Sequence, residues 1–208
     1  MKLTSETKLF LGIIAATVAI IAGAVVLFSK PVPTLPREEL VGNGPKAGNP
    51  DAAVYLVEFS DFQCSGCAAF APTVNEIIEK HKDKLLIAYR HFPLDQHPYA
   101  MKAAIAAEAA AQQGKFWEMA DLLFANQTKL SDELVLQFVQ SLQLDQSQFT
   151  QAVAEERLKQ KVEADRAYGL SIGINSTPTF FLNGKKLNLT SLDDLKNQVE
   201  KAINEGRQ

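Results

Sequence analysis

Apolar and polar positions follow several distinct patterns along this 208-residue chain, and each pattern predicts a different kind of element. Residues 9–28, LFLGIIAATVAIIAGAVVLF, carry no charge. At about 1.5 Å per residue, a helix of that length reaches roughly 30 Å, the thickness of a bilayer's hydrocarbon core. Apolar character on every side is foreign to a soluble surface helix. The stretch predicts a transmembrane segment. Ala22-Gly23-Ala24 offers a signal-peptide cleavage site, but the apolar run continues through Phe28, which favours a retained signal anchor over a cleaved leader. Lys2 and Lys8 precede the span while Lys30 and Arg37 follow it, so charge alone orients it poorly. The very short leader places residues 1–8 in the cytoplasm and the rest of the chain outside. Residues 29–50 are rich in proline and glycine, with few apolar side chains, and predict a flexible tether.

Beyond residue 50 the patterning becomes regular. Residues 54–59 (VYLVEF) form a nearly continuous run of β-formers, as expected of a strand covered on both faces. Ala68, Ala69, Val74, Ile77 and Ile78 give residues 64–80 a helical stripe, interrupted by Pro72. Residues 85–90 (LLIAYR) predict a second buried strand, and the β-α-β order implies a parallel pair with a crossover helix. Residues 98–168 are helical in pattern, in pieces covering 99–112, 115–125, a helix from Ser131 to 142 and one from Asp145 to 168. Ser131 and Asp145 are expected as N-caps and Gly169 just past the last helix. Asn183-Gly184 between 179–182 (TFFL) and 185–189 predicts a hairpin, and residues 191–204 a closing helix. The whole predicts one α/β domain over 51–208, with a helical insertion at about 98–170.

Composition narrows the function classes. Twenty-one basic and 24 acidic residues are dispersed, with a net charge of −3 and no cluster of Lys or Arg, so no electrostatic footprint for nucleic acid is expected.

The two cysteines stand three apart, as Cys64-Ser65-Gly66-Cys67, at the predicted start of a helix. There the unpaired backbone N–H groups and the positive end of the helix dipole favour a thiolate at Cys64, the attacking and leaving form in disulfide exchange. Cys67, one turn on, faces inward and can close the ring. Zinc is a weaker reading. A structural site needs four ligands, and His81, His91 and His97 have no paired spacing, so no metal is expected. A purely structural bridge is weaker still, because so short a loop stabilises little. Glu58, six residues before Cys64 inside an apolar strand, is either a strand-end residue reaching water or a buried carboxyl with a raised pKa.

Several separated motifs carry a resemblance. Residues 57–67 (VEFSDFQCSGC) with Pro72, residues 90–98 with Arg90-His91-Phe92-Pro93, Gly114-Lys115-Phe116-Trp117, and Ser176-Thr177-Pro178-Thr179-Phe180-Phe181 together resemble the DsbA-like branch of the thioredoxin superfamily. The likeness extends over about residues 50–205. It implies a thioredoxin fold whose helical insertion separates a βαβ half from a ββα half, here preceded by a transmembrane helix. It also implies that Pro178 is a cis-proline opposite the cysteines, that Thr177 offers backbone hydrogen bonds to an extended client, and that Glu58 exchanges a proton with Cys67. The dipeptide Ser65-Gly66 lacks the histidine of the family's most oxidising members. His91 and His97 read as capping or packing residues, and Trp117 as insertion core.

The activity implied is extracytoplasmic thiol–disulfide exchange that introduces disulfides into client proteins with free or paired cysteines. No cofactor is needed, and a membrane quinone-linked partner of the DsbB or vitamin-K-epoxide-reductase type would reoxidise the pair. A reductase or isomerase using the same site, and a chaperone-like binding module, remain open alternatives.

Overall fold

The computed structural model describes residues 5–28 and 34–206. They fall into two units, residues 5–28 and 34–206. The first is helix α1 (Ser5–Phe28). Its described side chains, Phe10, Leu11 and residues 13–23, are all exposed, over a length of about 20 Å. Among the described residues no helix is long and apolar enough to cross a membrane. The expected span of 9–28 therefore lies partly outside the described side chains.

The second unit is a five-stranded sheet with helices packed on both faces. It runs α2 (Arg37–Val41), β1 (Lys46–Gly48), β2 (Val54–Ser60), α3 (Ser65–His81) and β3 (Leu85–His91). The insertion follows as α4 (Ala100–Ala111), α5 (Phe116–Ala125), α6 (Asp132–Ser141), α7 (Gln146–Val153) and α8 (Glu156–Ser171). The chain closes with β4 (Thr179–Leu182), β5 (Lys185–Lys186) and α9 (Leu192–Glu205). The sheet order is β1-β3-β2-β4-β5, with β2 and β3 parallel and the other pairs antiparallel.

Strand periodicity sorts the core. Val57 and Phe59 of β2 face one layer with Leu40, Phe92 and Ile174, while Val54 and Leu56 face the other with Val74 and Ile77 of α3 and Leu195 and Val199 of α9. Glu58 belongs by period to this second face. Ser131 and Asp145 cap α6 and α7 as expected, accepting from the N–H groups of Leu134 and Gln148. Asn183 and Gly184 both have positive φ, as a tight hairpin turn requires.

Four expectations are corrected. The flexible tether expected over 29–50 is not found in its described part, because α2 buries Leu40 and Val41 against the sheet and β1 pairs with β3. Residues 29–33 lie outside the described residues. Glycine marks close approach in this segment, since a Cβ at Gly44 would lie 2.1 Å from the Tyr89 carbonyl oxygen. The single helix expected over 145–168 is two, broken at Ala154–Glu155. Gly169 lies inside α8, where a Cβ would come within 2.7 Å of the Phe92 ring, and the positive φ past the helix belongs to Gly173. The strand after the hairpin is only two residues long.

A buried ionic cluster joins the insertion to the sheet. Arg90 Nε lies 2.8 Å from Asp165 Oδ1, His91 Nε2 2.9 Å from Glu108 Oε1, and Lys161 Nζ 2.5 Å from Glu108 Oε2. It ties α4 and α8 to β3.

Candidate active site

β2 ends at Ser60, the chain turns through Asp61-Phe62-Gln63, and α3 begins with Cys64 as its N-cap residue in extended conformation. This geometry aims the first free N–H groups of the helix at the Cys64 sulfur. Cys64 retains 9% of its surface, and Cys67, one turn further on, none. Only Cys64 can be reached by an attacking sulfur.

Opposite the pair, the Thr177–Pro178 bond is cis, as the resemblance implied. The Cys64 thiol lies 3.3 Å from the Thr177 carbonyl oxygen. Gly66 makes room for this apposition, since a Cβ there would stand 3.1 Å from Pro178 Cδ.

The two sulfurs are electrostatically unequal. Cys64 is brought down to about 5, first by the hydrogen bond from the Cys67 thiol, then by the Thr177 side chain and the N–H groups of Cys67 and Gly66, with burial opposing them. Among the described residues the Thr177 hydroxyl has no other partner, which leaves it free to donate to a thiolate. Cys67 is pushed far up, first by burial, then by its bond to Cys64 and by the charge of Glu58. The same hydrogen bond that holds Cys64 as a thiolate holds Cys67 as a thiol.

Glu58 is 4% exposed and its carboxyl is raised to about 7, first by burial, against a lowering influence from Ser60 and with a further rise from Cys64. Of the sequence-predicted residues, Cys64, Cys67, Thr177 and Pro178 come together, with Cys67 sealed, and Glu58 is a buried carboxyl near both sulfurs, not at a wet strand end.

Sequence reasoning passed over Asp61. Its carbonyl accepts from Cys64 N (3.0 Å), and its N–H points at Cys67 Sγ (3.5 Å). Its buried carboxylate accepts from Gln63 N (2.7 Å), Leu94 N (2.8 Å) and His97 Nδ1 (2.7 Å). Gln127 adds a bond from Nε2 to the Cys64 carbonyl at 3.5 Å. An acid just after an apolar strand, two residues before a polar N–H, is an Asx-turn signal that the sequence did carry. His91 packs into the ionic cluster and His97 into the Asp61 network, so neither touches a sulfur. Trp117 is half-buried, and its indole N–H reaches the Lys46 carbonyl at 3.4 Å.

Beside Pro178 runs a groove of about 340 Å³, lined by Phe70, Phe180, Lys186, Leu187 and Leu189. No group of three His, Cys, Asp or Glu among the described residues is placed to hold a metal ion.

The family described as Thioredoxin matches residues 41–201. The chain belongs to the thioredoxin family. Within it, the fold is that of DsbA-like thiol–disulfide exchange proteins. The thiol-disulfide exchange protein alpha-DsbA2 of Wolbachia pipientis superposes with a TM-score of 0.72 at 21% identity, covering 80% of this chain and 91% of that one. A thioredoxin-like oxidoreductase from Silicibacter pomeroyi gives 0.68 at 25% identity, covering 81% and 98%. In sequence, the chain is similar to part of the Na(+)/H(+) antiporter NhaA 3 of Salinispora tropica, 39% identical over 156 residues. That match covers 74% of this chain and 23% of the antiporter, so the chain spans about a quarter of the length of such curated relatives.

Proposed function

We propose that this protein is an extracytoplasmic dithiol oxidase that introduces disulfides into client proteins. The observation that carries the reading is the inequality of the two sulfurs, a reachable Cys64 held as thiolate beside a sealed Cys67 held as thiol. A stabilised Cys64 thiolate favours the reduced dithiol, so the disulfide form is a good oxidant and Cys64 a good leaving group.

The cycle follows from the geometry. A client thiolate attacks Cys64 Sγ of the oxidised pair, the Cys64–Cys67 bond breaks, and Cys67 leaves with the electron pair. Glu58 supplies the proton that makes it a thiol. A second client thiolate then attacks the client sulfur of the mixed disulfide, and Cys64 departs as a thiolate. Two electrons have moved from client to protein, with no bound cofactor. Thr177 can pair with an extended client backbone beside Pro178, and the adjoining groove, where Phe70 and Leu187 lie with Ser176, Lys186 and Asn188, offers a client both apolar and polar contacts. A membrane quinone-linked partner of the DsbB or vitamin-K-epoxide-reductase type would take the electrons onward.

Membrane attachment through residues 9–28 belongs to the same proposal. The exposed Ile13, Ile14, Val18, Ile20 and Ile21 of α1 support it, because so many large apolar side chains are costly in water. That a similar segment belongs to a protein named a Na(+)/H(+) antiporter supports it as well.

Cys64→Ser tests the activity. The variant should lose all oxidation of a dithiol peptide while keeping its fold. Turnover surviving in it would remove the assignment.

A further inference from the structure

Cys67 is the sulfur that leaves when a client attacks Cys64, and it leaves inside the protein, since none of its surface is exposed. A negative charge forming there, away from water, needs a donor already in place. One backbone N–H points at it. Asp61 N lies 3.5 Å from Cys67 Sγ, in the dithiol form in which both cysteines are free.

Every polar atom of Asp61 is engaged. Its carbonyl accepts from Cys64 N at 3.0 Å, and its Oδ1 from Gln63 N at 2.7 Å. Its Oδ2 accepts from both Leu94 N at 2.8 Å and His97 Nδ1 at 2.7 Å. The backbone of Asp61 thus meets both cysteines, while its buried side chain is gripped from the loop before α4. That loop is itself closed, by bonds from His97 N to the Leu94 carbonyl (3.0 Å) and from Ala100 N to the His97 carbonyl (3.2 Å). The Asp61 side chain has no exposed surface, whereas that of His97 keeps 24%, so a change at His97 alters the grip without emptying the core.

We infer that the Asp61 N–H stabilises the departing Cys67 sulfur, and that His97 is the positioning residue that holds it there through the Asp61 carboxylate. The inference rests on the reading of Cys64 and Cys67 as a redox pair. As the client sulfur bonds to Cys64 Sγ, the Cys64–Cys67 bond breaks and its electron pair stays on Cys67. The Asp61 N–H meets that charge as it forms, with no reorganisation, because the carboxylate's bonds already fix the turn. The proton then comes from Glu58. Loss of the His97 bond loosens the turn and leaves the carboxylate's charge less compensated beside the sulfurs. Both changes disfavour a thiolate at Cys67. The ionisable groups facing Cys67 are Cys64 of α3, Glu58 of β2 and Tyr89 of β3, and a substitution at residue 97 leaves all three in place.

The test uses the full chain with Cys64 joined to glutathione, prepared in acid. After a jump to a higher pH, Cys67 attacks Cys64 and releases glutathione, which is the leaving step run backwards through the same transition state. Acid quenching and mass spectrometry give the rate across the pH range. His97→Phe removes the donor and should move the pH–rate profile up by about one unit. The thiolate is then roughly tenfold scarcer but about threefold more nucleophilic, so release slows about threefold at a given pH. His97→Asn puts an amide donor where Nδ1 stands and should restore the original profile. A profile unmoved in folded His97→Phe, or displaced equally in His97→Asn, would overturn the inference. A second measurement needs no substitution. In the unmutated mixed disulfide the amide proton resonance of Asp61 should shift downfield as Cys67 ionises, and a resonance that stays in place would overturn it as well. Failure of the redox reading has a different signature, because the unmutated chain would then release no glutathione at any pH.

Discussion

Two glutamates in this domain are almost equally buried, Glu58 at 4% and Glu108 at 3%, yet their environments push them in opposite directions. Glu58 sits beneath the cysteines with an unpartnered oxygen, and its carboxyl rises to about 7. Glu108 sits where the insertion meets the sheet. Burial is again the largest influence and raises it, but His91 and Lys161 together outweigh burial and hold the carboxyl below its ordinary value. Burial alone does not set the charge of a buried acid. Whether a cation faces it decides between a structural ion and a group able to move a proton near neutral pH.

Removing a carboxylate should therefore have opposite consequences at the two sites. Glu108→Ala leaves His91 and Lys161 around an uncompensated hole, and breaking such a buried pair costs about 3–5 kcal/mol. Chemical denaturation should show that loss, with the reactivity of Cys64 in the remaining folded protein little changed. If the domain tolerates the change without loss of stability, the insertion is not pinned by this cluster.

Glu58→Gln should do the reverse. The native carboxyl, raised from 4.5 to about 7, holds its proton where the unfolded one has lost it. Its contribution to stability is therefore full below about pH 4.5 and is lost as pH rises to about 7. That loss amounts to about 3 kcal/mol, so Glu58→Gln should be more stable than the original chain by up to that amount at alkaline pH, and no more stable in acid. The comparison belongs in the oxidised form, where the effect is smaller because the Cys64 charge no longer adds to the rise. It belongs there because a reduced Cys64 titrates with the opposite sign, stabilising the fold as pH rises from about 5 toward 9. Equal thermal stabilities of the two chains across this range would show that Glu58 is hydrated or paired.

A smaller effect is expected at the sulfur. Thr177→Val removes a hydroxyl donor while keeping shape, and should raise Cys64 by about one pH unit, the equivalent of about 1.4 kcal/mol. Thiolate ultraviolet absorbance reads this directly. An unmoved titration would assign the thiolate to Cys67 and the helix N-terminus alone.

Much of this contrast could be read along the chain, but not all of it. Glu58 announced itself as an acid within an apolar strand, and the periods of residues 54–59 and 85–90 placed two core strands. Glu108 lay in an alanine-rich helix with nothing local to mark it, because its partners His91 and Lys161 are 17 and 53 residues away. Asp61 showed only half of its role locally, the turn to Gln63 N, since its other two partners, Leu94 N and His97 Nδ1, come from the loop before α4. Residues 34–50 misled because a five-residue helix and a three-residue strand are too short to show a period. Their glycines marked close backbone contact where the composition suggested looseness. Gly169 illustrates the same ambiguity: a glycine near a helix end can serve a neighbouring ring, Phe92, and not the cap.

In the proposed function, the asymmetry of Cys64 and Cys67 makes the pair an electron acceptor from clients. Equilibration in glutathione buffers, with acid trapping of the thiol and disulfide forms, measures its potential directly. A value between about −180 and −120 mV, the range of protein oxidants, is expected, whereas one near about −270 mV would make the same site a reductase and overturn the proposed direction.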